Sequence, residues 1–149
     1  MSTSDDTLYG EPNGTSADSM DVTLDQPFDL DSLVALRSAV AAHADRFGLS
    51  DHRTQELVLV AHELASNAIR HGGGKGRLRL WKSDGAVTCE VSDAGPGLAS
   101  GAGNRFWRPP VDALGGRGLW LAYHLCDRFE VRSGPTGTIA LATMLVNNG

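Results

Sequence analysis

The segment from Arg53 to His71 most constrains this chain, because it reads as one long amphipathic helix with a marked start and a marked stop. Ser50 or Asp51 can cap its first turn, and Gly72, Gly73 and Gly74 end it. At 100° per residue, Leu57, Val58, Val60, Ala61, Leu64, Ala65, Ala68 and Ile69 fall on one broad arc, which needs a sheet or another helix to cover it. Glu63, Asn67 and Arg70 lie off that arc and close together. Glu63 and Asn67 are one turn apart, and His71 continues the row, so an anion, an amide oxygen and an imidazole are presented side by side.

Around this helix the pattern alternates between periods. Val22, Leu24 and Phe28 predict a short strand, and Asp29 or Asp31 can cap the helix of Leu33, Leu36, Val40, Ala44 and Phe47 that stops at Gly48. Strands are expected at 76–82 and 86–92, joined at Ser83, Asp84 and Gly85 by a tight hairpin. Leu78 and Leu80 alternate with Arg77, Arg79 and Trp81, as in a sheet buried on one face. A third helix is expected over 118–127, with strands near 129–132 and 138–146. Together these predict an α+β fold, a two-layer α/β sandwich in which helices cover one face of a mixed, mainly antiparallel sheet. Residues 1–21 mix Ser, Thr, Asp, Gly and Pro without apolar period and are expected to form a disordered tail, leaving 22–149 as one domain.

Charge and apolar content then remove whole classes of function. A formal net charge of -5 argues against direct nucleic-acid binding, which needs clustered cations to displace counterions. No apolar run approaches the roughly 20 residues that span a bilayer, and the first residues lack a signal peptide's pattern, so a cytoplasmic protein without membrane contact is expected. Cys89 and Cys126 show no metal or disulfide spacing and are expected as buried free thiols.

The chemistry resides in the first helix discussed and in two glycine segments. Asn67 offers Mg²⁺ a neutral oxygen beside substrate phosphates, and Glu63 is placed to accept a proton from an attacking hydroxyl. Asp93, at a strand end before Gly95-Pro96-Gly97, can accept a hydrogen bond from an amino group such as that of adenine. Gly115-Gly116-Arg117-Gly118-Leu119 opens a helix, whose free N–H groups attract phosphate. An ordinary solvated helix face and simple turns are the plain alternatives for each segment alone. Neither lysine of the folded part, Lys75 or Lys82, has the glycines of a P-loop, the Gly95 segment lacks the third glycine of a dinucleotide fingerprint, and His62-Glu63 is followed by Ser66 where a zinc protease needs histidine.

In their order, His62-Glu63-Leu64-Ala65-Ser66-Asn67-Ala68-Ile69-Arg70-His71-Gly72, Ser92-Asp93-Ala94-Gly95-Pro96-Gly97 and Gly115-Gly116-Arg117-Gly118-Leu119 resemble the GHKL ATPase and kinase superfamily, and within it the anti-sigma factor serine kinases. The resemblance covers about 22–146. It implies a Bergerat ATP-binding fold, with ATP and Mg²⁺ as cofactors, Glu63 as general base, Asn67 as Mg²⁺ ligand and Asp93 on adenine. Gly95 and Gly97 would shape the base pocket, Gly116 and Gly118 the phosphate side, and Thr138 would stand near Asp93. Arg70, His71, Arg117 and Leu119, within the same motifs, complete the expected nucleotide contacts, and 98–114 would form the ATP lid. The implied partners are a STAS-type anti-anti-sigma factor, phosphorylated on serine, and a sigma factor, with a homodimer also expected. A non-catalytic, nucleotide-dependent binding module for a transcription regulator is the alternative.

Overall fold

The computed structural model describes residues 21–95 and 117–146. The expected tail therefore lies outside the described residues except for Asp21, which opens the first strand, β1 (Asp21–Asp29). A single 3₁₀ turn follows (Leu30–Ser32), then α1 (Leu33–Phe47), α2 (Asp51–His71), β2 (Lys75–Ser83) and β3 (Ala86–Asp93). After the undescribed 96–116 come α3 (Arg117–Leu125), β4 (Arg128–Gly134) and β5 (Gly137–Leu145).

Local chemistry accounts for the boundaries. Asp29 Oδ1 accepts a hydrogen bond from the Ser32 N–H at 3.1 Å while Ser32 Oγ accepts from the Asp29 N–H at 2.9 Å, a reciprocal cap that turns the chain from β1 towards α1. Gly48 ends α1 in the left-handed region at φ 100°, where a side chain is disfavoured. Ser50 Oγ caps α2 by accepting from the Arg53 N–H at 3.1 Å. Asp84 and Gly85 both take positive φ, 53° and 77°, as the tight hairpin between β2 and β3 requires.

The sheet runs β1-β2-β3-β5-β4. The mainly antiparallel sheet expected from sequence is present, and among the described residues every pairing is antiparallel, so the parallel pairing a mixed sheet would add is not among them. The reason is topological: α3 returns the chain beyond the β5 position, and the β4–β5 hairpin then folds β5 back into the gap beside β3. β1 and β4 are the edges. β1 carries an irregularity between Val22 and Leu24 and a proline, Pro27, opposite Arg77. β4 carries Arg128, Glu130 and Arg132 on the face away from the helices.

The core lies between that sheet and the helices. Leu36, Val40 and Ala44 of α1 and Leu57, Val60, Ala61, Leu64, Ala65 and Ala68 of α2 pack with Leu78, Leu80, Val87, Cys89, Ala142 and Met144, all essentially inaccessible. Val58 and Ile69 border the buried arc of α2 rather than sitting in it. The outer face of the sheet is not uniformly solvated. Trp81, grouped by alternation with Arg77 and Arg79, is only 9% exposed, with the Arg79 guanidinium 5.7 Å above its ring. Arg79 also reaches Glu90 at 3.3 Å, and Arg77 grips Asp25 through two hydrogen bonds of 2.6 and 3.0 Å. Cys89 is a buried free thiol as expected, whereas Cys126 is half-buried. No helix among the described residues is long and apolar enough to cross a membrane.

Candidate functional site

Five segments meet at one end of the sandwich: the last turns of α2, the end of β3, the start of α3, the middle of β4 and the start of β5. They border a narrow cleft lined by Leu64, Asn67, Ala68, Val91, Asp93, Leu119, Val131, Thr138 and Ala140. The walls are apolar because Leu64 and Ala68 come from the buried arc of α2 and Val91, Val131 and Ala140 from the inner face of the sheet. Polar groups stand only at the ends.

Asp93 and Thr138 face each other across the β3–β5 register and stand together at the inner end, where the half-buried Asp93 also borders a second hollow beside Gly72 and Ala94. Asp93 Oδ1 accepts from the Gly95 N–H at 2.9 Å, and the backbone N–H of Thr138 also points to the carboxylate. Burial raises the Asp93 pKa above the ordinary carboxylate value, and these two N–H groups hold it back. The Thr138 hydroxyl is 2.9 Å from that of Ser133, which is 2% exposed. Glycines crowd this end: a Cβ on Gly95 would lie 2.4 Å from the Gly72 Cα, and one on Gly137, at φ 150°, only 2.1 Å from the Asp93 carbonyl oxygen.

The outer end is set by α2 against α3. A Cβ on Gly118 would lie 3.1 Å from Glu63 Oε1 and 3.5 Å from Asn67 Nδ2, so glycine lets the first turn of α3 approach both side chains. Glu63 is half-buried there. Arg70 Nη2 donates to Asn67 Oδ1 at 2.7 Å, which engages the oxygen expected to take a metal. Among the described residues no group of three or more His, Cys, Asp or Glu could hold a metal ion. An amide oxygen such as that of Asn67 is chemically suited to a hard cation that takes its other ligands from water and phosphate oxygens.

Of the residues expected from sequence, Asn67, Asp93, Leu119 and Thr138 line the cleft, while Gly95 and Gly118 shape its two ends. Arg117 begins α3. Arg70 is exposed and reaches the site through Asn67, and His71 is exposed and absent from the lining. Gly97, Gly116 and the lid expected at 98–114 lie outside the described residues. Sequence reasoning missed Ser133, Gly137 and the apolar walls Val91, Val131 and Ala140, and it treated Gly72 only as a helix stop. The signal for the walls is their alternation on strands flanking Asp93 and Thr138.

An apolar slot with an acceptor at its inner end suits a flat heteroaromatic ring that carries an N–H donor. A helix N-terminus, an amide and a carboxylate at the open end suit phosphate and a bound cation. Comparison with known proteins agrees. The family model of the histidine kinase-like ATPase domain matches residues 26–144. No curated protein sequence matches the chain. One similar solved structure contains the RsbU and RsbW domains of Rv1364c from Mycobacterium tuberculosis, with a TM-score of 0.62 at 20% identity over 85% of this chain. This chain spans only 34% of that one. Another is the Acinetobacter baumannii histidine kinase AdeS, with a TM-score of 0.50 at 18% identity, covering 84% of this chain and 68% of the other. Both likenesses establish the fold. With its α/β sandwich, its two-ended cleft and a domain match over most of its length, the chain belongs to the histidine kinase-like ATPase family.

Proposed function

We propose that the domain binds Mg-ATP in this cleft and transfers the γ-phosphoryl group to a serine of a STAS-type anti-anti-sigma partner in the cytoplasm, and that it holds a sigma factor when that partner is absent. The observation that carries the reading is the polarity of the cleft. An Asp93 carboxylate held by two backbone N–H groups stands at the apolar inner end, and Glu63, Asn67 and the α3 N-terminus stand at the outer end. In this reading Asp93 accepts a hydrogen bond from the adenine amino group, Thr138 and Gly95 hold Asp93, and Leu64, Ala68 and Leu119 sandwich the base. The first turn of α3, from Arg117 and Gly118, faces the phosphates. Asn67 would hold Mg²⁺ after its oxygen turns from Arg70, and the ion would neutralise phosphate charge. Glu63 takes the proton of the serine hydroxyl as its oxygen bonds to the γ-phosphorus, and ADP leaves with the electron pair of the broken bond. The choice of serine and of these partners is supported by the motif resemblance and by the likeness to a structure that contains an RsbW domain.

The test is to incubate the purified protein with Mg-ATP and its anti-anti-sigma partner and to weigh that partner by mass spectrometry. The expected result is the addition of one phosphoryl group, lost in Glu63→Ala; an unchanged mass with wild-type protein refutes the kinase reading. The engagement of Asn67 by Arg70 favours a second reading, a nucleotide-dependent binding module without transfer. That reading is supported if Glu63→Ala leaves sigma-factor retention responsive to the partner as in the wild type.

A further inference from the structure

We infer that Gly72, which lies outside the cleft, is the residue that positions the Asp93 carboxylate and thereby sets the preference for an amino-bearing purine. The inference rests on the reading that Asp93 recognises the base.

Three glycines follow α2, and they are there for two different reasons. Gly73 and Gly74 take φ of 93° and 92° with open space where a side-chain methyl would stand, so their backbone conformation explains them. Gly72 has φ -109°, which any residue adopts, and its N–H closes the helix on the Ala68 carbonyl at 2.7 Å. Space is what demands glycine there. A Cβ would lie 2.3 Å from Asp93 Cγ and 2.4 Å from Oδ2, as well as 2.6 Å from the Ala68 carbonyl oxygen. The carboxylate is thus pressed against a bare Cα on one side and held through Oδ1 by the Gly95 N–H on the other. Gly95 and Gly137 crowd backbone atoms, whereas Gly72 is the glycine here whose missing side chain makes room for the carboxylate itself. An added methyl meets a short side chain that can rotate and also the Ala68 carbonyl oxygen of the last helical turn, which must give as well. Its first effect is to swing the carboxylate away from the position where an amino hydrogen must be met, while the apolar walls that hold the ring stay in place.

The experiment measures the affinities of ATP and of purine riboside triphosphate, which lacks the amino group, for wild type, Gly72→Ala, Asp93→Ala and the double variant. Loss of one hydrogen bond to a charged acceptor corresponds to about tenfold or more. Wild type is therefore expected to prefer ATP by at least that factor. Gly72→Ala is expected to bring the preference within about twofold by weakening ATP alone, and to change nothing further when Asp93 is already Ala. Retention of the wild-type preference in Gly72→Ala, or equal weakening of both nucleotides, overturns the inference. A wild type that binds ATP without preference overturns the base reading and this inference with it, and a wild type that binds neither nucleotide overturns the proposed function first. If Gly72→Ala does not fold, the double variant decides: recovery of folding once the carboxylate is gone supports the assignment, and continued unfolding assigns Gly72 to the Ala68 carbonyl and overturns it.

Discussion

Replacement of Arg53 by alanine tests how α3 is held in register with α2, and the structure allows its effect to be worked out. The guanidinium donates to Glu56 at 2.6 Å, to the Leu125 carbonyl at 2.9 Å and to Asp127 at 2.7 Å, with the side chain 23% exposed. Burial alone would lower the Arg53 pKa, yet the Glu56 and Asp127 carboxylates outweigh it and the pKa is raised. Asp127 Oδ2 also accepts from the Leu145 N–H at 2.7 Å, so the cluster joins the start of α2, the end of α3 and the end of β5. Two partly exposed ion pairs are worth about 0.5 kcal/mol each. A carbonyl that loses a charged donor adds about 1 kcal/mol. The sum, about 2 kcal/mol, corresponds to a fall in Tm of roughly 6–10 °C for a domain of this size. Thermal unfolding of the apo protein followed by circular dichroism reads this directly, and about half of the difference should vanish in 1 M NaCl. Because α3 brings Gly118 against Glu63 and Asn67, ATP affinity well below Tm should also fall a few-fold. A Tm within about 2 °C of wild type, or an Arg53–Asp127 coupling below about 0.3 kcal/mol in a double-mutant cycle, would refute the reasoning.

Asp93→Asn should separate stability from binding. Because the folded pKa of Asp93 is raised, its favourable contribution is present below the unfolded value near ~4 and is lost as pH climbs through the folded value. The variant should thus be no less stable than wild type at pH 7 in urea, with a flatter pH profile just above ~4, while ATP affinity drops about tenfold or more; a destabilised variant at pH 7 contradicts this. Arg70→Ala frees the Asn67 oxygen from an exposed hydrogen bond, so apo stability should change by less than about 0.5 kcal/mol and the Mg²⁺-dependent gain in ATP affinity should rise up to about fivefold. An unchanged Mg²⁺ dependence shows that Asn67 is not the ligand. Burial pushes the Cys126 thiol up to about 12 and the Cys89 thiol higher still. Iodoacetamide at pH 8 should therefore label the native protein about a hundredfold more slowly than the urea-unfolded chain, read by intact mass, and equal rates would contradict the burial of both thiols.

What could be read from sequence was whatever is written in local periods and caps. The arc of α2, its Ser50 cap, the left-handed Gly48 and the Asp84-Gly85 hairpin each follow from neighbours a few residues apart. Glu63 and Asn67 could be placed on one face for the same reason. Through-space relations were not legible. Gly72 and Asp93 are 21 positions apart, and nothing in either segment alone says that one leaves room for the other. Ser133 reads as an ordinary strand residue until the β4–β5 register sets it opposite Thr138. Arg70 was visible as a neighbour of Asn67, but the hydrogen bond that occupies the amide depends on rotamers that spacing does not specify. Trp81 alternates correctly with Leu80, and alternation could not reveal that Arg79 would cover its ring.

The two rims of the sheet limit how other chains can approach this domain. β1 has no N–H to offer at Pro27, and its ladder is broken between Val22 and Leu24, so an incoming strand would find an interrupted row of donors. At the far rim, Arg128, Glu130 and Arg132 would meet their own kind if a second copy aligned in parallel register. Among the described residues, both rims thus carry features that disfavour strand addition and fibril growth. Recognition of another protein by the described residues is therefore expected to fall to side chains on the helices, the cleft mouth or the sheet face, where specificity can be encoded without seeding misassembly through the backbone.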